Sequence, residues 1–186
     1  MGLTFGQLDD TVIGSLSFAA GDEGLRHLEF CNLKTLKSLL NNPDEIPSQK
    51  GLETISKLLL EINAYLFGIQ KEFTVAIDWS DIKGFQKEVL RITAEIPYGR
   101  LMTYGGIAEK IGKPGAARAV GAALGRNPLA IVIPCHRVIG TDYKLHGFGG
   151  GLDTKAFLLE LEGHTIKNQK VILPDEKIAG FQQGLW

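Results

Sequence analysis

Residues 129–140 read Leu-Ala-Ile-Val-Ile-Pro-Cys-His-Arg-Val-Ile-Gly, an apolar run interrupted by a thiol, an imidazole and a guanidinium. A run this apolar has to be buried, so the fold must carry Cys135 and His136 into a core or against its edge. Asn127-Pro128 breaks the chain just before it. A thiol becomes a strong nucleophile when a neighbouring base takes its proton. Cys135 beside His136 therefore suggests one reactive sulfur, rigidly held. Read alone, such a residue is more often a buried inert thiol.

The second cysteine is Cys31. The opening MGLTFGQLDD lacks the basic start and apolar core of a secretory signal, and no window approaches the roughly 18 apolar residues that span a bilayer. A cytosolic location with both thiols reduced is the expectation. His27 and Cys31, four apart in LRHLEFC, read as core and surface residues rather than half a zinc site. The 186 residues admit one large domain or two small ones. Net charge is −6 over residues 1–81, +4 over 82–164 and +1 over 165–186. The basic excess accompanies Cys135, which suits a polyanionic partner there.

The N-terminal part reads as strand, turn, strand: TVIGSLSFAA, GDEG and LRHLEFC. Two helices follow, LKTLKSLL, broken at Asn41-Asn42-Pro43, and GLETISKLLLEINAYLFG, with the β-branched TVAIDWS closing the region. A boundary near Asp78–Lys83 gives an α/β domain over 1–81 and a mainly α domain over 82–164. In the second, FQKEVLRITAEI is an amphipathic helix stopped by Pro97-Tyr98-Gly99. Thr103 is an N-cap for YGGIAEKIG, and the turn Gly112-Lys113-Pro114-Gly115 leads to AARAVGAALGRN. Two short helices joined by a Gly/Pro turn fit a helix-turn-helix, though on their own they are more often a tightly packed internal helix pair. A glycine loop, residues 147–151, precedes the helix DTKAFLLELEG and lacks the ending of a phosphate-binding loop. Residues 165–186 form a tail containing VILP and ending FQQGLW, with no functional reading.

From Phe85 to Gly163 the chain closely resembles the catalytic domain of the O6-alkylguanine-DNA alkyltransferases. The segment from Asn127 to Val138 carries the likeness. Ile96-Pro-Tyr-Gly99, Thr103-Tyr104-Gly-Gly-Ile-Ala, Arg118-Ala-Val-Gly-Ala-Ala, the glycine loop and Leu158-Leu-Glu-Leu-Glu162-Gly support it in the family's order and spacing. The resemblance implies a ribonuclease-H-like N-terminal domain and a winged-helix-like C-terminal one. It implies DNA repair by direct reversal: a single, irreversible transfer of the alkyl group from O6-alkylguanine, and O4-alkylthymine, in double-stranded DNA to Cys135. His136 would deprotonate Cys135 through a water, Glu162 would orient His136, and Asn127 would hold the turn that carries the cysteine. Arg118 would fill the stack vacated by the extruded base, and Tyr104 would rotate its phosphate. Thr103, Ala117, Gly121 and Ala122 would complete the DNA-reading helices. Tyr104, Leu124, Val138, Phe148, Gly149 and Gly150 would line the base pocket. A monomer with no cofactor, metal or membrane partner is implied.

Two positions depart from the family pattern. Phe148 stands where a tyrosine is common, and Gly149 where a serine is frequent; neither belongs to the Cys135, His136 and Glu162 set. The metal-binding N-terminal cysteines of some relatives are absent, hence no zinc is expected. Related non-catalytic lesion binders lack the cysteine that this chain keeps. A lesion-binding protein and a cysteine hydrolase remain the alternatives. His146 and His164 are read as structural.

Overall fold

The structure, a computed structural model, describes residues 2–41 and 46–172. It divides into two compact units. One runs up to Lys83 and includes Pro128–Val132; the other comprises Gly84–Asn127 and continues from Ile133.

The first unit is built on an antiparallel sheet of order β1-β2-β3, with β1 Thr4–Thr11, β2 Gly14–Gly21 and β3 Gly24–Glu29. β1 is an addition to the sequence reading. TFGQLDDT has only Phe5 and Leu8 as large apolar residues, too few to announce a strand. It is held instead by its register on β2, from Thr4 opposite Ala20 to Thr11 opposite Gly14, with a bulge after Leu8. Gly24 turns the chain into β3 at φ 134, and a Cβ there would stand 2.5 Å from the Ala76 carbonyl oxygen. Leu25 N–H donates to that same carbonyl, so only glycine allows so close an approach. The centre of β2, Leu16 to Ala20, is fully buried. Helix α1, Leu33–Leu39, is capped by Asn32 and helix α2, Gln49–Leu66, by Ser48. Ile55, Leu58, Ile62 and Tyr65 put the buried stripe of α2 on one side at helical spacing. His27 lies within β3 and Cys31 two residues past its end, packed beside Leu3, Ala19 and Leu36. Of the expected break after α1, Asn41 has φ 48, while Asn42 and Pro43 lie outside the described residues.

The second unit is mainly helical: α3 Gly84–Ala94, α4 Tyr104–Lys110, α5 Ala117–Leu124 and α6 Gly151–Leu161. Thr103 caps α4 by accepting the Gly106 N–H at 2.9 Å, which fixes where the helix begins. Val120, Ala123 and Leu124 of α5 and Ile107 and Ala108 of α4 are buried, as are Val89 and Leu90 of α3. Two short parallel strands, β4 Met102–Thr103 and β5 Val138–Ile139, bring the start of α4 beside the segment that follows Cys135. Part of the expected tail is a hairpin, β6 Thr165–Lys167 and β7 Lys170–Ile172, inside this unit. The rest of the tail, with FQQGLW, lies outside the described residues. Among the described residues, no helix is long and apolar enough to cross a membrane.

Candidate active site

The presentation of Cys135 begins with the ring of Pro134. Proline fixes φ near −65°, and here φ −79 and ψ 62 place it at the centre of an inverse γ-turn. The Cys135 N–H closes that turn on the Ile133 carbonyl at 2.8 Å. Asn127 braces it from the end of α5: its Nδ2 donates to the same carbonyl at 3.0 Å and to Cys135 Sγ at 3.3 Å. An amide proton aimed at sulfur favours the thiolate over the thiol. Cys135 then opens a single 3-10 turn, Cys135–Arg137, that sends the next two side chains inward.

Those side chains meet Glu162, the C-cap of α6. His136 Nε2 lies 3.0 Å from Glu162 Oε1, with both side chains fully buried. Arg137 donates from Nε to both carboxylate oxygens, at 3.0 and 2.9 Å, and from its second terminal nitrogen at 2.8 Å. Its other terminal nitrogen donates to the Ile96 carbonyl at 2.5 Å. Gly99, at φ 69, donates its N–H to Glu162 Oε2 at 3.1 Å, and Tyr98 OH donates to the Leu161 carbonyl at 2.6 Å. Burial works against ionising Glu162, but the hydrogen bonds from His136 and Arg137 and the guanidinium charge outweigh it and hold the carboxyl far below its ordinary range. Burial lowers His136 more than the bond to Glu162 raises it, so the imidazole is neutral. An ionised carboxylate only accepts, so the imidazole proton sits on Nε2 and Nδ1 is the basic nitrogen.

Cys135 opens onto a cavity of about 580 Å³. Tyr104, Ala117, Arg118, Gly121 and Leu124 wall it from α4 and α5, and His146, Phe148 and Gly149 from the loop before α6. Arg118 is exposed. The Phe148 ring stands edge-on to His136 with centroids 6.3 Å apart. Burial and the charge at Cys135 push the Tyr104 phenol up to about 12, which keeps its proton in place as a donor. Behind these residues the chain is tied by Lys155, a fully buried cation. Its Nζ donates to the Val138 carbonyl at 2.7 Å and the His146 carbonyl at 3.1 Å. Burial brings it down to about 8, against the upward pull of Cys135.

The model of the DNA-binding domain of 6-O-methylguanine DNA methyltransferase matches residues 84–164. The chain is 42% identical to the methylated-DNA–protein-cysteine methyltransferase of Methanosarcina barkeri, over 85% of this chain and 96% of that protein. The chain belongs to the methylated-DNA–protein-cysteine methyltransferase family. The crystal structure of Mycobacterium tuberculosis O6-methylguanine methyltransferase is 41% identical, with a TM-score of 0.72, over 86% of this chain and 92% of the other. The same organism's OGT in complex with DNA is 40% identical over the same shares, with a TM-score of 0.69. These likenesses support the coarse fold, an N-terminal sheet domain and a C-terminal helical one with a DNA-binding region.

Within this methyltransferase, the residues that sequence reasoning groups do not all reach the cavity. Val138 does not line it: the residue is fully buried in β5, opposite Met102, and its carbonyl is engaged by Lys155. Gly150 is the N-cap of α6, and Ala122 is exposed on α5 outside the cavity wall. Thr103 is 9% exposed, its hydroxyl spent on the cap. His146, read as structural, stands in the wall beside the Tyr104 ring, centroids 6.1 Å apart. Arg137 and Lys155 have no role in the sequence reading. Both carry a signal: Arg137 interrupts an apolar run, and Lys155 shares the stripe 155, 158, 159, 162 with buried leucines. A cation in such a place needs an anion or carbonyls waiting for it.

Proposed function

We propose that this chain repairs double-stranded DNA directly, taking the alkyl group from O6-alkylguanine, and from O4-alkylthymine, onto Cys135 in one irreversible turnover. One observation carries the reading: a cysteine whose sulfur accepts an amide proton opens onto a cavity walled by α4 and α5, next to a neutral His136 backed by Glu162. His136 Nδ1 takes the thiol proton through a water. The thiolate attacks the alkyl carbon in line, a carbon–sulfur bond forms, and the carbon–O6 bond breaks. The electron pair leaves on O6, and a proton returned to the base restores guanine. Tyr104 donates to the extruded base, and exposed Arg118 occupies the stack that the base has left. A thioether resists hydrolysis, so the protein is consumed.

The relative crystallised with DNA supports a DNA partner. The reading extends to a ribonuclease-H-like first unit, a winged-helix-like second one, a monomer and a place in the cytosol, where a thiol reagent stays reduced. Incubation with a duplex containing O6-methylguanine is expected to add one methyl group to the intact mass, at Cys135, and none to Cys135→Ser. Unchanged mass with tight lesion binding would point to a lesion-binding protein, and repeated turnover of an ester or amide to a hydrolase.

Arg118→Ala should slow transfer from duplex DNA by about tenfold or more, because unstacking a base costs a few kcal/mol that this side chain offsets. Reaction with free O6-benzylguanine, which needs no extrusion, should change less than about twofold on the same grounds. Equal losses in single-turnover rates on both substrates would remove Arg118 from the extrusion step.

A further inference from the structure

Residues 165–172 lie beyond the match to the family's DNA-binding domain, which ends at residue 164, and the transfer itself makes no use of them. β6 and β7 close over Asn168 and Gln169 at φ 50 and 55, a two-residue turn whose positive φ matches the twist of the strands. The loop after β5 joins this two-stranded ribbon through a single bridge. Leu145 N–H donates to the Gln169 carbonyl at 2.8 Å and Val171 N–H to the Tyr143 carbonyl at 2.9 Å. Lys144 bridges Lys170 in antiparallel fashion. Val171, 1% exposed, and Ile166 anchor the ribbon among Leu101, Ile139, Leu145 and Leu159.

Register then sets the charges. Lys144 pairs with Lys170, and Lys170 with Lys167. Directly opposed residues project to the same face of a sheet, so the three lysines form a row across the ribbon, away from buried Val171. All three are exposed. Asp142 Oδ2, 3.7 Å from Lys144 Nζ, offsets part of this charge. Like charges directly opposed are destabilising, and a row of them has no return within the fold. The Lys144 segment runs straight into His146, Gly147 and Phe148, which wall the cavity of Cys135. Lys144 thus stands two residues along the chain from His146 in the cavity wall.

We propose that this ribbon is a second DNA-binding element, in which Lys144, Lys167 and Lys170 neutralise backbone phosphates flanking the extruded nucleotide and tie the cavity loop to the duplex. The inference rests on duplex DNA as the substrate. Its test is fluorescence anisotropy of the full chain with a short undamaged duplex over a range of salt concentrations. Lys167→Gln/Lys170→Gln is expected to make the slope of log affinity against log salt shallower by about 2, one unit for each phosphate that is no longer neutralised. Lys34→Gln/Lys50→Gln, which removes equal charge from the first unit, should keep the wild-type slope. The rate with free O6-benzylguanine should stay within about twofold of wild type, since charge neutralisation at phosphate acts only on DNA. A wild-type slope in the Lys167/Lys170 variant overturns the ribbon's role and leaves the transfer reading intact. Wild-type protein that binds a duplex containing O6-methylguanine but gains no methyl overturns the transfer reading, while a reduced slope in the variant on the undamaged duplex still upholds the ribbon.

Discussion

His136→Ala is expected to slow alkyl transfer to Cys135 by about 10²–10⁴-fold at pH 7, the range a positioned general base supplies. Burial keeps the imidazole neutral, and the bond from Nε2 to Glu162 leaves Nδ1 as the basic nitrogen. Without that base, the thiol must ionise unaided, which a free cysteine does near pH 8.5. The deficit should therefore shrink as pH rises from 7 toward 9.5. Asn127 stays in place at Sγ in the variant and continues to favour the thiolate. Single-turnover rates with O6-benzylguanine across that range decide the matter. A deficit that is constant with pH would reduce His136 to a packing partner of Phe148.

What could be read from the sequence follows the reach of each signal. Thr103 was legible as a cap because an N-cap needs only a hydroxyl one residue before a helical pattern. The helix pair was legible from Gly112-Lys113-Pro114-Gly115, where two glycines take φ 71 and 87. β1 was not, because a strand held by register on a buried neighbour needs little hydrophobic alternation of its own. Glu162 was grouped with His136 by resemblance, and the two lie 3.0 Å apart. Nothing local could add Arg137, 25 residues from Glu162, to that pair, since periodicity reports neighbours within one element only. Where the Val138 side chain and Gly150 sit was not legible for a related reason. Position in a motif does not say whether a side chain faces a cavity or is spent on a strand or a helix cap. The lysine row escaped notice because it exists only once three segments are in register.

Glu162→Ala is expected to destabilise the second unit by about 3–5 kcal/mol, the cost of leaving a buried charge without its partner. Three hydrogen bonds from Arg137 converge on this carboxylate, along with His136 Nε2 and the Gly99 N–H. Its removal strands the guanidinium, 6% exposed as a residue, with the Ile96 carbonyl as one remaining acceptor. The pH dependence follows from the signs of two shifts. Glu162 is depressed in the fold, so its contribution is full above the ordinary carboxylate range near 4 and is lost as pH falls through its folded value. His136 is also depressed, so the unfolded chain binds its proton first, and stability declines as pH drops below about 6.5. Both shifts make the wild-type unit acid-labile, beginning with His136 and ending with Glu162. Glu162→Ala should flatten the lower limb, below about pH 4, because no carboxylate remains there to be protonated. Urea unfolding at pH 3.5, 5.5 and 7.5 measures both limbs. A variant as stable as wild type at pH 7.5, or one with an unchanged lower limb, would show that the carboxylate does not hold this site together.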